Sequence, residues 1–277
     1  MGKEIQKGEL TGGKENYSKK VDFDKFYTNE DVSKLCLSNI DLESFDLVIE
    51  PSAGGGSFYN NINHPNKVGL DIEPTHPSIL KLDWLTYLID QEYQKVLIVG
   101  NPPFGIRNKL SQEFIKHACS FNNTHTVAFI LPEVYKKHTL QKAIPTHFRI
   151  KTIIDLPVDS FNIEGTPYSI PSIFMIIEKS EGEDLRFDPS KYKETDHWTY
   201  GTDKDYDFFV MGAAPKTTKD MPEPNNRGYY IKVKPHISVE EVRQYFNTIE
   251  WKGYSSANGG VSWLTKPEIV KQYKDSI

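Results

Sequence analysis

Apolar residues along this chain gather in short runs, each closed by a loop-forming residue. Residues 45–51 read FDLVIEP, 66–74 NKVGLDIEP, 94–103 QKVLIVGNPP, 125–132 HTVAFILP and 150–157 IKTIIDLP. Runs of this length, rich in Val, Ile and Leu, predict strands buried on both faces. Segments of helical period lie between them. Residues 111–121, SQEFIKHACSF, put Phe114, Ile115, Ala118 and Phe121 on one side, with Ser111 as the expected N-cap. Residues 133–144, EVYKKHTLQKAI, predict another helix, and a further one is expected to begin at Phe58 and Tyr59. Strand–helix alternation on this scale predicts a mostly parallel α/β sheet. The series closes differently. PSIFMIIEK, residues 171–179, follows residues 153–170 with no helix between, which predicts an antiparallel strand completing the sheet.

Composition divides the chain into three parts. Residues 1–21 are polar and rich in Gly and Lys, as a mobile tail is. Residues 22–180 carry the strand–helix series. In the small C-terminal region, 181–277, the composition shifts: residues 181–207 hold nine acidic and four basic side chains, and residues 214–236 hold five Lys/Arg against two acids, with four prolines. Residues 239–249 and 266–274 predict helices, the latter with Pro267 near its start, and residues 253–263 read as loop. A net charge of -5 does not by itself point to a nucleic-acid binder, although charge is segregated along the chain. Two isolated cysteines, Cys36 and Cys119, make neither a zinc site nor a disulfide framework and suit the cytoplasm or another reducing compartment. The N-terminus has no apolar core for a signal peptide, Gln6 stands where a myristoylation pattern wants Ser or Thr, and no apolar run reaches a membrane span, so no membrane partner is expected.

Ligands of open parallel sheets bind beyond the carboxyl ends of the strands, so the chemistry belongs in the loops that end these runs. The first is VIEPSAGGGSF, where Gly54, Gly55 and Gly56 permit a tight turn and bring bare backbone to a ligand. No Gly-Lys-Ser/Thr follows, so it is not a phosphate loop. The second is GLDIEP, where the carboxylate of Asp71 can accept hydrogen bonds from both hydroxyls of a ribose. The third is KLDWL, where Asp83 can accept from the exocyclic amine of an adenine while Ile72 and Trp84 wall the ring. Each has a bland alternative, a flexible connection or a solvated turn. Together they imply a nucleoside-containing cofactor with no pyrophosphate.

The fourth loop, NPPFG at 101–105, is the most specific. Pro102 forces Asn101 towards extended geometry, and Pro102 and Pro103 have fixed φ and no N–H, leaving carbonyls as acceptors. An amide oxygen beside a rigid carbonyl suits an –NH₂ group, which has two hydrogens to donate. Held in this way, the nitrogen of an aryl amine becomes more tetrahedral and aims its lone pair at an electrophile. Phe104 can stack on the ring that carries the amine. For Pro-Pro alone, a stiffened turn is the simpler reading.

With these motifs in this order, the chain resembles the S-adenosylmethionine-dependent adenine-N6 DNA methyltransferases of the gamma motif order. DKFYT at 24–28, VIEPSAGGGSF, GLDIEP, KLDWL, NPPF, VAFILP and SFNIEGTPYSIPSIFMIIEK carry the resemblance, over roughly residues 22–180. It implies a Rossmann-like class I methyltransferase fold, a seven-stranded sheet whose last strand is antiparallel, followed here by a small C-terminal appendage for which target recognition is one reading. It implies S-adenosyl-L-methionine held by Tyr27, Thr28, Glu50, Pro51, Ser52, Ala53, Gly54, Asp71, Ile72, Asp83, Trp84 and Asn101. The catalytic set is Asn101, Pro102, Pro103 and Phe104, with Phe104 stacking on an extruded adenine and Phe161 first, Tyr168 second, closing on its other face. The expected partner is nucleic acid, DNA in preference to RNA. The glycine loop SAGGGSF departs from the family's common ACGSG form.

Other members of the wider class keep some of these features. RNA adenine methyltransferases also carry NPPF, and Arg107 and Asn108 after it are compatible with some of them. Protein glutamine methyltransferases use the same acceptor pair but generally lack the early FYT motif. A binding protein with an inert methyltransferase fold is a further alternative. In the C-terminal region, Lys216, Lys219, Arg227, Lys232 and Lys234 are candidates to neutralise phosphates, and Tyr229 or Tyr230 to stack on bases. A solvated loop is the alternative there. No histidine needs a catalytic role, and no metal site is expected.

Overall fold

The computed structural model describes residues 27–163, 166–254 and 263–277. The expected N-terminal tail, the first three residues of DKFYT and most of the 253–263 loop lie outside the described residues. The chain runs through β1 (Tyr27–Thr28), α1 (Glu30–Leu37), β2 (Leu47–Glu50), β3 (Lys67–Asp71), β4 (Leu80–Lys81), β5 (Val96–Gly100), α2 (Lys109–Ser120), β6 (Thr124–Pro132), α3 (His138–Gln141) and β7 (Arg149–Asp155). A hairpin of β8 (Phe161–Ile163) and β9 (Thr166–Tyr168) leads to β10 (Ser172–Glu178). The C-terminal part adds β11 (Trp198–Tyr200), β12 (Phe208–Met211), β13 (Ala214–Lys219), β14 (Gly228–Val233), α4 (Val239–Thr248) and α5 (Lys266–Ser276).

Seven strands form the central sheet in the order β4-β3-β2-β5-β6-β10-β7. The β3–β4, β2–β3, β2–β5 and β5–β6 pairings are parallel, and β10 runs antiparallel to both β6 and β7. The antiparallel strand expected from PSIFMIIEK is present, inserted between β6 and β7 rather than added at an edge. Side chains alternate cleanly across the sheet. Leu47, Ile49, Val96, Ile98, Val127, Phe129, Ile173 and Met175 join Phe114, Ile115 and Ala118 of α2 in one core. Val48, Leu97, Val99, Ala128, Ile130, Phe174 and Ile176 join Val32, Cys36 and Leu37 of α1 in the other. Burial on both faces explains why the strands read as unbroken apolar runs. It also pushes the Cys36 and Cys119 thiols up to about 12, and both cysteines are free.

Three expected helical features are absent or displaced. Only a single 3-10 turn, Tyr59–Asn61, forms after the glycine loop. The sequence YNNINHPN that follows Phe58 is poor in helix formers and soon meets Pro65, and Lys67 Nζ instead ties down the carbonyls of Tyr59 (2.7 Å) and Ile62 (2.9 Å). Residues 133–144 split into a 3-10 turn, Glu133–Lys136, and the short α3, with Lys137 extended between them (φ -79, ψ 135). The Lys137 side chain is drawn away to Trp263 and Glu268 of the C-terminal part. Ser111 is not an N-cap: α2 begins at Lys109 after Asn108, and the Ser111 hydroxyl lies buried inside the helix, 2.7 Å from the Tyr135 hydroxyl.

The C-terminal part contains a four-stranded antiparallel sheet, β11-β14-β12-β13, with its own apolar core of Trp198, Phe208, Val210 and Ile231 packed on Val242, Phe246, Ile269 and Tyr273. Its two helices are legible in the sequence and its strands are not. Among the described residues no helix is long and apolar enough to cross a membrane.

Candidate active site

A cavity of about 720 Å³ opens at the carboxyl ends of the central strands. The volume lies in the range of small-molecule and cofactor sites, roughly 300–1,000 Å³. Its walls bring together residues far apart in sequence: Tyr27 and Thr28 of β1, Glu50 with Pro51, Ser52, Ala53 and Gly54 after β2, Asp71 and Ile72 after β3, Asp83 and Trp84 after β4, and Asn101, Pro102, Pro103 and Phe104 after β5.

The glycine loop is shaped for close approach. Gly54 (φ 49) and Gly56 (φ 90) adopt left-handed backbone that L side chains rarely take. The Tyr27 ring lies over this loop, with Cε1 3.6 Å from where a Cβ on Gly55 would stand. Asp71 is fixed by two backbone donors, Gly54 N–H to Oδ2 and Glu73 N–H to Oδ1, both at 2.8 Å. Each carboxylate oxygen keeps acceptor capacity beyond these bonds. Asp83 caps the 3-10 turn Trp84–Thr86, accepting from Leu85 N–H at 2.9 Å. Ile72 is 64% exposed, whereas Trp84 is 1% exposed and packs edge-on to His117 at 4.9 Å. Trp84 therefore belongs to the core as much as to the wall.

Glu50 closes the floor. Burial pushes its carboxyl well above the ordinary carboxylate range; the nearby Asp71 charge acts in the same direction, while the backbone of Tyr59 and the charge of Lys67 oppose it. Its Oε2 is buried without a partner. The same is true of Asn101 Oδ1 and Trp84 Nε1. Unpartnered buried polar atoms are uncommon in folded proteins, and these three belong to residues lining one cavity. Asn101 is held on two sides: its Nδ2 donates to Thr28 Oγ1 at 3.2 Å, and Ser52 Oγ donates to its main-chain carbonyl at 2.9 Å. The chain then turns through Gly105 (φ 69), Arg107 (φ 55) and Asn108 (φ 59) into α2. Leu110, Glu113 and Phe114 of α2 complete the wall. That contribution was not anticipated, because the apolar period marks the helix but not which end leans over the NPPF loop.

The other expected residues fall elsewhere. Phe161, the first choice to close on a base, is fully buried in the core beneath the cavity, opposite Thr28 in the β1–β8 register. Its ring is packed with Val99, Phe104 and Ile170 in one cluster and presents no face to a base in this conformation. Tyr168, the second choice, is 39% exposed and pairs with Phe161 across the hairpin. Neither lines the cavity. In the C-terminal sheet Tyr229 is half-buried, its hydroxyl donating to the Leu264 carbonyl (2.9 Å) and accepting from Trp263 Nε1–H (2.8 Å), so it serves that unit's packing rather than an open stacking platform. Lys219 pairs with Glu223, Lys232 with Asp205 and Asp207, and Lys234 with Glu194. Lys216 and Arg227 are exposed. Among the described residues, no cluster of three or more His, Cys, Asp or Glu is placed to hold a metal ion.

The sheet order, with one antiparallel strand between β6 and β7 and a cavity at the strand ends, defines the fold as Rossmann-like, of the class I methyltransferase type. Solved structures similar to this chain include the 23S rRNA methyltransferase ErmE, at 14% identity over 61% of this chain and 75% of that one, with a TM-score of 0.41. Another is magnesium protoporphyrin IX methyltransferase (ChlM) from Synechocystis PCC 6803 with bound SAM, at 14% identity over 62% and 87%, TM-score 0.39. A third is the type I restriction enzyme EcoKI M protein, at 13% identity over 61% and 47%, TM-score 0.38. Comparison with protein-family models gives no match, and comparison with curated protein sequences gives none.

Proposed function

We propose that this chain transfers a methyl group from S-adenosyl-L-methionine to N6 of adenine in DNA. The observation that carries the reading is Asn101 Oδ1, a buried acceptor with no partner, in a cavity-lining residue followed by two prolines and Phe104. An exocyclic amine supplies the donor that this oxygen lacks. The remaining residues suit the cofactor: Asp71, fixed by two backbone N–H groups, for ribose hydroxyls; Asp83 for an adenine amine; Ile72 and Trp84 as walls; and the backbone of Pro51, Ser52, Ala53 and Gly54 for close approach. S-adenosylmethionine, when bound, supplies an electrophilic methyl on a sulfonium.

The protein's part is positioning and electrostatics. Asn101 Oδ1 and the Pro102 carbonyl take the two N6 hydrogens and direct the nitrogen lone pair. Phe104, only 2% exposed and packed in the core with Phe161, lines the cavity from below rather than offering an open face, and with Pro102 and Pro103 it gives an apolar wall that keeps water from the amine. No side-chain base is needed before methyl transfer, because the N6 proton becomes acidic only afterwards. Extruding the adenine from a duplex costs a few kcal/mol. With Phe161 buried, Tyr168 is the ring of the β8–β9 hairpin left to meet the extruded base, and Lys216 and Arg227 are the candidates for phosphate contacts.

The test is incubation with labelled cofactor and matched DNA and RNA pools, followed by nucleoside mass spectrometry. The expected product is 6-methyladenine in DNA. Label in RNA alone would move the substrate to RNA, label in protein alone would move it to a side-chain amide, and absence of both label and cofactor binding would overturn the reading.

A further inference from the structure

An asparagine amide can present either its oxygen or its nitrogen to a ligand, and the two ends make opposite demands. Adenine N6 needs the oxygen. Thr28 does not choose between the two ends, because a hydroxyl both donates and accepts. It fixes where the amide stands: its Oγ1 accepts from Asn101 Nδ2 at 3.2 Å, in the arrangement that leaves Oδ1 as the end without a partner. Thr28 is itself nearly buried, with 6% of its surface exposed. It is not free to turn away, because β1 is tied to the β8 hairpin. Thr28 stands opposite Phe161, Asn29 N–H donates to the Ser160 carbonyl at 3.0 Å, and Asn162 Nδ2 donates to Asn29 Oδ1 at 2.9 Å. Fully buried Phe161 thus backs the strand that holds the amide.

We propose that Thr28 is a positioning residue for Asn101: its hydroxyl holds the amide group in place at the cavity wall, and β1–β8 pairing supports that lock on its position. The proposal rests on the adenine-N6 reading above, and it assigns to the β1 segment a role on the substrate side of the cavity in addition to its cofactor side.

The experiment compares the full-length parent with Thr28→Val and Thr28→Ser. Thr28→Val keeps the volume and removes the acceptor. Its kcat should fall about tenfold, the size of one lost hydrogen bond to a reacting-site group, and by clearly more than any loss of cofactor affinity measured by calorimetry. Thr28→Ser, which keeps the hydroxyl, should restore most of the turnover. A second readout needs neither substrate nor turnover: the Asn101 side-chain NH₂ resonances, identified by their loss in Asn101→Ala, should shift and exchange faster with water in Thr28→Val but not in Thr28→Ser. Unchanged kcat in Thr28→Val, a cofactor affinity that falls as far as kcat, or amide signals indifferent to the substitution would each overturn the proposal. Should the parent methylate no adenine while the amide signals respond as described, the substrate reading fails and the lock on Asn101 stands.

Discussion

Lys137, just past the end of β6, forms an ion pair of 3.4 Å with Glu268 of α5, and the two side chains are only 9% and 2% exposed. Lys137 Nζ also donates to the Trp263 carbonyl, and Glu268 Oε2 accepts from Thr265 N–H at 2.7 Å. The pair joins the strand-end side of the central sheet to the C-terminal unit. Desolvating two charges offsets most of their attraction, so the pair fixes an orientation more than it adds stability. Removing one partner is another matter, because the other is left buried and uncompensated. Lys137→Met should therefore cost about 3–5 kcal/mol in denaturant unfolding, and adding Glu268→Leu should recover a large part of it. If the double variant were as unstable as the single one, packing rather than charge would account for the loss.

Asp71 and Asn101 lie in one cavity but serve different partners in the proposed reaction, so their variants should separate. Asp71→Ala removes a charged acceptor and releases Gly54 N–H. Cofactor affinity measured by calorimetry should fall about ten- to a hundredfold, the equivalent of about 1.5–3 kcal/mol. Asn101→Ala should leave that affinity within a few-fold and lower single-turnover methylation by about a hundredfold or more, as loss of a group acting mainly in the transition state does. Equal losses of affinity in the two variants, both folded, would make the NPPF loop a cofactor element.

The parts of this molecule legible in sequence are those where one local rule acts alone. The strands of the central sheet are covered on both faces, so β2, β5, β6 and β10 appear as apolar runs, and the runs of β2 and β5 end in loops that line the cavity. β4 was invisible as a run because it is two exposed residues, Leu80 and Lys81, held only by β3. The C-terminal strands were hidden for a different reason. β13 and β14 carry Lys, Thr and Tyr on a sheet covered on one side, and Pro-rich segments around them read as loop. Phe161 matched a motif position, but motif spacing says nothing of which way a ring points; the pairing of β8 with β1 decides that. Lys137 stands in a helical pattern in the sequence because the contact that extends it lies more than a hundred residues away, at Trp263.

Gly105 gives a steric test of the NPPF loop. Its φ of 69 suits glycine, and an added Cβ would stand 2.7 Å from Leu110 Cβ and 3.1 Å from Leu110 N. The backbone nitrogen of α2 cannot swing aside as a flexible side chain can. Gly105→Ala should therefore push the first turn of α2 away from Phe104, with a cost of about 1–3 kcal/mol in unfolding free energy. Turnover should fall more than cofactor affinity, since the proposed reaction puts Phe104 on the substrate side. Parent-like stability together with parent-like turnover would show that the loop relaxes without disturbing the site.

Glu50 makes stability depend on pH in a direction that can be stated in advance. Burial, reinforced by Asp71, raises its carboxyl well above the usual 4.5. A folded value above the unfolded one means that Glu50 contributes its full stability below the unfolded pKa and loses it as pH rises towards the folded one. Within that window each pH unit costs up to about 1.4 kcal/mol, because the unfolded chain releases a proton that the folded chain retains. Glu50→Gln has a neutral amide of nearly the same shape and no proton to lose. Without cofactor, the melting temperature of Glu50→Gln relative to the parent should therefore rise steadily from pH 4.5 towards neutrality, whatever offset separates the two proteins at pH 4. Calorimetric melting of both proteins between pH 4 and 8 reads this directly. Parallel curves would mean that Glu50 is already ionised in the folded protein, held by charges stronger than the burial that surrounds it.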